Sequence, residues 1–350
     1  MDTFSCPIAV TGSGAVTAAG VGVPAVLAAL KEGRSCLQPV PRDMADDAAG
    51  LVWGRAEQFK ASDFMPPLKA RKLDRCSQFA VASAGLALAD AGIVKGSLPA
   101  ERIGIALGCG FGGIANSAEF LTGYFQQGAA GLSPLLFPNT VANAPASNAS
   151  IEYGIKGPNI TFVQRFCSAE SAILAACRYI EEGRADVMLA GGVDELTPLM
   201  MKGFAAMGQL HSHAGGFGEG AGILVLERDD HAAARGATVK GRLGRISTIG
   251  MLLPGAGQQG VDRLLPGPRS FHRIAVSGAE EAVQPLLRAV QAPQIVFPGR
   301  TIGRSLAMGG VTLAVLTALL EPGEEGAQLS ASPEGPLFAI TLKGGYSAKS

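Results

Sequence analysis

A strand, a turn and a buried helix form the central pattern of this chain. Residues 160–166 alternate and are rich in β-branched and aromatic side chains, which predicts a strand. Cys167-Ser168 then offers polar groups that cap a helix ending at Gly183. The helix is apolar on nearly every side over residues 172–177, and residues 185–190 predict a second buried strand that closes at two glycines.

The remaining pattern alternates strands with helices. Before the central pattern we predict strands at 7–17 and 102–107 and helices at 21–32, 73–91 and 114–127, with a tight turn at the TGSG sequence and a surface excursion over 34–67 that contains Trp53. After it we predict strands at 222–227, 240–247, 273–277, 294–297 and 337–342 and helices at 198–207, 279–290 and 308–320. This order predicts an α/β fold with a largely parallel sheet and right-handed crossovers.

Composition and charge narrow the classes of partner. Apolar residues make up 47% of the 350 and charged residues only 17%, which favours a large protein–protein interface. No run approaches the roughly 20 apolar residues of a membrane span, and the 29 basic and 29 acidic residues show no basic cluster for nucleic acid. Six cysteines without C-x-x-C spacing, and no signal peptide, predict reduced thiols in the cytoplasm.

The candidate chemistry lies at the start of the central helix. A buried helix N-terminus concentrates backbone N–H groups and lowers the pKa of a thiol placed there, so the site suits a nucleophilic cysteine. We predict no cofactor, because TGSG lacks the spacing of a phosphate loop, and no metal, because His211 and His213 are expected in a solvated loop without further ligands.

Five segments of the sequence carry a family resemblance. They are GRADVMLAGGVDELTPLMMKGFAAMGQL, GFGEGAGILVLE, IAVTGSGAVT, RIGIALGCGFGG and LSPLLFPNTVANAPASNASIEYGIKGPNITF. Together they resemble the β-ketoacyl synthases, the thiolase-fold condensing enzymes of fatty acid and polyketide synthesis, over most of the first 240 residues. The resemblance implies a five-layer αβαβα fold of two similar halves, residues 1–240 and a shortened 241–350.

The sequence departs from the family at its catalytic positions. The family's nucleophilic cysteine stands 17 residues before the glycine that is Gly183 here, and that position holds Phe166. The positions of its two histidines correspond to Ser277 and Arg304. The family's lysine position falls near Gly299. A shift of one residue across a strand-to-helix turn points a side chain in another direction, so Cys167 is the less favoured replacement nucleophile.

These losses imply a non-condensing subunit, the role called chain length factor or ketosynthase β. Such a subunit pairs with a catalytic ketosynthase sister, and the heterodimer receives its substrates from an acyl carrier protein in polyketide, polyene or fatty-chain synthesis. Two alternatives stay open: a condensing or acyl-transfer enzyme that uses Cys167 with Arg304 at the oxyanion, and a homodimeric scaffold without an acyl ligand. A priming decarboxylase is disfavoured, because it keeps the histidines.

The resemblance also implies a tunnel along the dimer interface. Carried over to this chain, its lining residues are Phe111, Ile114, Ser117, Leu121, Leu136 and Phe137. The spacing of residues 114, 117 and 121 places them on one helical face without reference to any family, and that face is alternatively ordinary core. Strand 160–166 is the expected contact with the partner.

Overall fold

Strands and helices alternate along most of the chain. The computed structural model describes residues 2–41, 51–208, 216–252, 257–267, 269–304 and 307–345, so His211 and His213 lie outside the described residues. The strands in these ranges are β1 (Asp2–Thr17), β2 (Gly20–Val21), β3 (Gln38–Pro39), β4 (Val52–Gly54), β5 (Ile103–Cys109), β6 (Asn159–Val163), β7 (Val187–Asp194), β8 (Phe217–Gly218), β9 (Gly220–Arg228), β10 (Gly241–Ile249), β11 (Arg273–Gly278), β12 (Gln294–Val296), β13 (Glu325–Ala331) and β14 (Leu337–Gly344).

The helices connect these strands. The α-helices in the same ranges are α1 (Val23–Lys31), α2 (Pro67–Ala70), α3 (Arg75–Asp90), α4 (Ile114–Gln127), α5 (Ala144–Tyr153), α6 (Ser168–Glu181), α7 (Pro198–Ala206), α8 (Asp229–Ala234), α9 (Gly257–Leu264), α10 (Glu280–Leu287), α11 (Pro298–Ile302) and α12 (Gly309–Leu319). Single 3₁₀ turns lie at Ala61–Asp63, Ala100–Arg102, Gly128–Gly131 and Phe137–Asn139. No helix of the described residues is long and apolar enough to cross a membrane.

The large sheet contains the same five-stranded unit twice. Its strand order is β12-β11-β13-β14-β10-β1-β9-β7-β5-β6. The first unit consists of β1, β5, β6, β7 and β9, and the second of β10 to β14. Counted from the outer edge of the sheet, each unit places its third, second, fourth, fifth and first strands side by side. The first two pairings from the edge are parallel and the next two are antiparallel. The fold therefore has two similar halves, as predicted, whereas the prediction of a largely parallel sheet is wrong.

The helices form three layers around these strands. Helix α3 packs on β1, β9 and β7, and α10 packs on β13 and β11. Helices α6 and α12, which precede the fourth strand of each half, contact each other, and α12 touches strands of both halves. The strands of the two halves form the other two layers, between the helix layers, so the arrangement is the predicted five-layer α/β fold. The boundary between residues 240 and 241 stays a prediction; the first strand of the second set begins at Gly241.

The glycines of the TGSG sequence lie in a strand and not in the predicted turn. Strand β1 runs through them because they allow α3 to approach the sheet. A Cβ atom on Gly12 would lie 2.3 Å from the carbonyl oxygen of Ala87, and one on Gly14 would lie 2.2 Å from that of Ser83. Hydrophobic pattern alone does not reveal such a close approach.

Two further predictions are corrected. The central strand ends at Val163 and not at 166, because the next four residues form a turn in which Arg165 and Cys167 have positive φ angles. The expected surface excursion instead buries Trp53, which is 4% exposed and belongs to a small sheet of β3, β4 and β8. Most other predicted elements begin and end within a few residues of those observed.

Candidate functional site

A tight turn places residues 164–167 at the start of α6. The Ser168 hydroxyl holds this turn: it accepts a hydrogen bond from the Gln164 N–H at 2.9 Å and lies 2.7 Å from the Arg165 carbonyl. Cys167 occupies the position before the helix with φ 68° and makes no side-chain capping bond. The capping expected of Cys167-Ser168 is therefore not observed, and the serine hydroxyl instead ties together the turn before the helix.

Phe166, predicted from the sequence to stand at the family's nucleophile position, is buried. Its ring is 2% exposed and belongs to the largest apolar core cluster. That cluster also holds Phe204 and Phe217, which stack with ring centroids 4.2 Å apart, and Phe111 lies 6.2 Å from Phe204. An aromatic ring packed in this way offers neither a nucleophile nor space for an acyl group.

The neighbouring thiol of Cys167 is buried and held in its neutral form. It is 3% exposed, and its sulfur lies 3.6 Å from the Pro336 carbonyl oxygen. Burial, and after it the nearby Glu170 carboxyl, raises the pKa of the Cys167 thiol well above its ordinary value. The expected lowering by the helix N-terminus is thus outweighed, because desolvation disfavours the thiolate more than the helix end stabilises it.

Glu170 joins the α6 turn to the second half of the molecule. Its side chain is 1% exposed and accepts a hydrogen bond from Gln328 at 2.9 Å, with Ser277 and Ser330 close to the carboxyl group. Burial raises the pKa of the Glu170 carboxyl, since these contacts only partly offset desolvation. Sequence reasoning missed this residue, although an acidic side chain just before the apolar stretch 172–177 was the available signal.

Ser277 and Arg304, the residues predicted to stand at the family's two histidine positions, line one small cavity of about 20 Å³. Arg304 is 4% exposed and pairs with Glu281 at 3.3 Å, and burial lowers the pKa of its guanidinium. Among the described residues, which do not include 305 and 306, its Nε and Nη2 have no hydrogen-bond partner. The cavity has room for about one water molecule.

The two histidines that lie within the described residues are engaged away from the α6 turn. His231 bonds Glu227 at 2.9 Å, and His272 bonds the backbone at Glu325. Neither can serve the α6 turn as a base. The site offers an aromatic ring, a buried carboxyl group, a hydroxyl and a buried guanidinium, which suit packing and hydrogen bonding.

Three of the six predicted tunnel residues lie in α4 and the other three lie in the segments on either side of it. In the described structure no residue of α4 is fully buried. Leu121 and Phe137 are 49% and 60% exposed, and Ile114 packs at the edge of the main core. The Ser117 hydroxyl lies 2.9 Å from the Gly113 carbonyl and 3.2 Å from that of Thr140, so it fixes the helix to the following loop. The face is thus not ordinary core of this chain alone.

Exposed apolar side chains concentrate around α4 and the edge strand β6. Of sixteen large exposed ones among the described residues, eleven lie between 111 and 207: Phe111, Leu121, Tyr124, Phe125, Leu135, Phe137, Val141, Ile151, Val163, Leu199 and Met207. Strand β6 ends the sheet and pairs only with β5 in the described structure. A surface of this kind marks a site of protein contact.

Known proteins resemble this chain in sequence over about its first two thirds. A family model described as "Beta-ketoacyl synthase, N-terminal domain" matches residues 5–232. A 3-oxoacyl-[acyl-carrier-protein] synthase 2 of Synechocystis sp. is 34% identical over 253 residues, 67% of this chain and 61% of that protein. The protein of the same name in Vibrio cholerae is 34% identical over 66% of this chain and 60% of its own length. The match therefore spans about three fifths of these relatives.

Solved structures resemble the chain over nearly its whole length. A type II PKS acyl-carrier protein in complex with its ketosynthase bound to the hexaketide gives a TM-score of 0.82 at 18% identity, covering 97% of this chain and 99% of that one. The ishigamide ketosynthase/chain length factor gives 0.77 at 19% identity with the same coverage. At this identity the likeness establishes the fold.

Proposed function

The chain belongs to the β-ketoacyl synthase family, and from this premise we propose that it acts as a non-condensing subunit, a chain length factor. In this role it pairs with a catalytic ketosynthase and shapes the tunnel for a growing polyketide, polyene or fatty chain. The acyl carrier protein delivers its substrates to the pair. The sister subunit supplies the nucleophile and the bases.

The observation that carries the proposal is the buried ring of Phe166 at the nucleophile position. Two further changes support it, because Ser277 and Arg304 replace the bases and their small cavity has no room for an acyl chain. The Cys167 thiol is buried beside the Glu170 carboxyl, which disfavours a thiolate. Several independent losses in one well-packed scaffold favour a change of role over a variant mechanism.

The surface around α4 and β6 supports the pairing with a sister. Its exposed apolar side chains and the open edge of β6 are suited to an extended contact that continues the sheet. Two of the solved structures of similar fold are described as a ketosynthase complex with its carrier protein and as a ketosynthase/chain length factor. Taken together, their descriptions name a ketosynthase, a chain length factor and a carrier protein, the components that the proposal requires.

A condensation assay tests the proposal directly. The purified chain is mixed with an acyl carrier protein bearing an acyl group and with malonyl carrier protein, and extended products are measured by mass spectrometry. We expect no extension by the chain alone, and extension when a ketosynthase encoded beside it is co-purified. Extension by the chain alone would refute the non-condensing role.

Thiol labelling separates this role from an enzyme that uses Cys167. Cys36 is only partly buried and serves as an internal control for iodoacetamide labelling of the native protein. We expect Cys36 to be labelled first and no acyl-thioester to be trapped on Cys167. An acyl group found on Cys167 would favour the enzyme, and a stable homodimer indifferent to a ketosynthase would favour a scaffold.

A further inference from the structure

Two acidic side chains and a thiol meet in the interior at the base of α4. Asp74 precedes α3, Cys76 lies in its first turn, and Glu195 follows β7. Their donor atoms lie within 4.8 Å of one another, and all three residues are buried, Asp74 and Glu195 at 2% exposure and Cys76 at 0%. The residues are far apart in sequence, so no spacing motif announces the cluster.

Each carboxylate of this cluster keeps one oxygen without a partner among the described residues. Asp74 accepts a hydrogen bond from the Ser77 N–H through Oδ2, while its Oδ1 has none. Glu195 accepts one from the Ala115 N–H at 2.8 Å through Oε1, while its Oε2 has none. Buried carboxylate oxygens without partners are costly, so such groups are paired with a cation or protonated.

The basic side chains nearest this cluster are engaged elsewhere. Arg55 and Arg75 both pair with Glu219, at 3.3 and 2.7 Å. In the described part of the chain no ion pair reaches Asp74 or Glu195. The interior here therefore lacks a protein cation for two carboxylates and a thiol.

We propose that Asp74, Cys76 and Glu195 form a binding site for a thiophilic divalent metal ion such as Zn²⁺. One thiolate with two carboxylates is a donor set that zinc accepts, whereas magnesium and calcium avoid sulfur. The Gly112 carbonyl oxygen, which accepts the Cys76 thiol hydrogen bond at 3.6 Å, is a candidate fourth ligand. Zinc–ligand bonds of about 2.0–2.3 Å place tetrahedral ligands roughly 3.5 Å apart, so side-chain rotation must close the cluster by about 1 Å.

Binding is coupled to proton release and has a path from solvent. The ion takes up a thiolate and two carboxylates, and the protons that these groups carry without metal leave to solvent. Glu195 also lines a surface cavity of about 430 Å³ together with Arg75, Ala115 and residues 196–199. A metal here would fasten the start of α3 and the end of β7 to the glycine turn that precedes α4.

Metal content and cobalt spectroscopy test the site independently of any catalytic activity. The untagged chain is purified without chelator, incubated with Zn²⁺, desalted and analysed by mass spectrometry of the elements. We expect about one Zn²⁺ per chain, falling below about a tenth in Cys76→Ser. With Co²⁺ instead, we expect a near-ultraviolet thiolate-to-cobalt absorption band that Cys76→Ser removes.

Two further variants keep the test decisive. Cys109→Ser alters another buried thiol, whose sulfur contacts the Ala142 carbonyl, and should leave both signals unchanged. Glu195→Gln keeps the side-chain volume and the bond from Ala115, and should weaken Co²⁺ binding by about tenfold or more in a protein that still melts cooperatively. Failure of the wild-type chain to retain Zn²⁺, or equal loss of the band in Cys109→Ser, overturns the proposal and identifies a proton-sharing acidic cluster.

Discussion

The ring of Phe166 makes the clearest single-residue prediction. Replacing it as Phe166→Cys puts a thiol at the family's nucleophile position, yet we expect no condensation by the chain alone. The reason is that Ser277 and Arg304 supply no base to activate the thiol or to stabilise an oxyanion. Product formation from malonyl carrier protein, followed by mass spectrometry, is the measurement. Turnover by this single variant would mean that the site is more complete than proposed.

Glu170 gives stability a definite dependence on pH. Its folded-state pKa lies above the ordinary 4.5, so the folded chain holds its proton more tightly than the unfolded chain does. The contribution of Glu170 to stability is therefore largest below the ordinary value and is lost as pH rises through the raised pKa. Urea unfolding at about pH 5 and about pH 8 should show this fall reduced in Glu170→Gln.

The exposed Glu119 on α4 is the matched control for that substitution, and Glu119→Gln should leave the pH dependence as it is in the wild type. Equal pH profiles for the wild type and Glu170→Gln would contradict the assignment of the effect to this carboxyl. A pure loss of stability at both pH values would point to packing instead.

Sequence reasoning assigned Phe166 to the family's nucleophile position but could not show what surrounds it. That assignment rests on counting along a gapless segment and stays a prediction. The hydrogen-bond partners of Glu170 and the proximity of Asp74 to Glu195 could not be predicted. Both depend on which helix and strand ends the fold brings together across long stretches of chain. The Cys167 pKa was expected in the wrong direction, because a helix N-terminus can be read from sequence but the degree of desolvation cannot.

Close packing of β1 against α3 can be probed through its glycines. Gly12→Ala should destabilise the chain by about 1–3 kcal/mol or more, because the added methyl group meets helix backbone that cannot easily move. Gly203→Ala within α7 is the control: its new Cβ meets no atom within 4 Å, so we expect stability to be unchanged or slightly increased. Urea unfolding measures both, and equal effects would argue against the packing explanation.

Helix α4 carries the prediction on chain length. In the assembled complex, Phe111→Ala or Leu121→Ala should open space and lengthen the products, whereas Ser117→Phe should shorten them. Leu121 is 49% exposed, so its truncation should cost the isolated chain less than the 2–5 kcal/mol typical of a buried leucine. Product length is read by mass spectrometry.

Glu119→Ala, on the opposite side of α4 by helical spacing, controls for changes to the helix itself and should leave product length unaltered. Unchanged products from both the shortened and the enlarged side chains, in a complex that remains assembled and active, would exclude α4 as the stop for the growing chain.

Helices and strands were predicted correctly where the hydrophobic periodicity is strong. The predictions failed where tertiary contacts determine the local structure. Helices α3, α6 and α12 follow from their apolar patterns and from caps or glycines at their ends. The end of β6 was placed three residues too late, because residues 164–166 continue a strand-like composition while the Ser168 hydroxyl bends the backbone. Trp53 was expected at the surface because prolines and irregular sequence around it conceal a small sheet.

Assembly through the β6 edge is a prediction about the whole molecule. Val163 lies on that edge at 51% exposure, and Val163→Lys should prevent pairing with a ketosynthase without unfolding the chain. Ile295 on β12 is 39% exposed and occupies the corresponding outer strand of the second half, so Ile295→Lys should leave pairing intact. Co-purification and sedimentation measure the effect.

The wild-type chain expressed without a partner should aggregate or self-associate through this apolar surface. A monodisperse monomer at micromolar concentration would argue against a large apolar interface. Equal assembly of the Val163→Lys and wild-type chains would move the contact away from β6.

The repeated five-stranded unit has a consequence for how this molecule can change during evolution. The second copy completes all five strands between Gly241 and Gly344, so the unit itself requires little more than those residues. Helix α4 and the loop after it are elaborations carried by the first copy, and most of the exposed apolar side chains lie on or near them. Such additions can diverge with a new partner or product while the duplicated framework beneath them is kept.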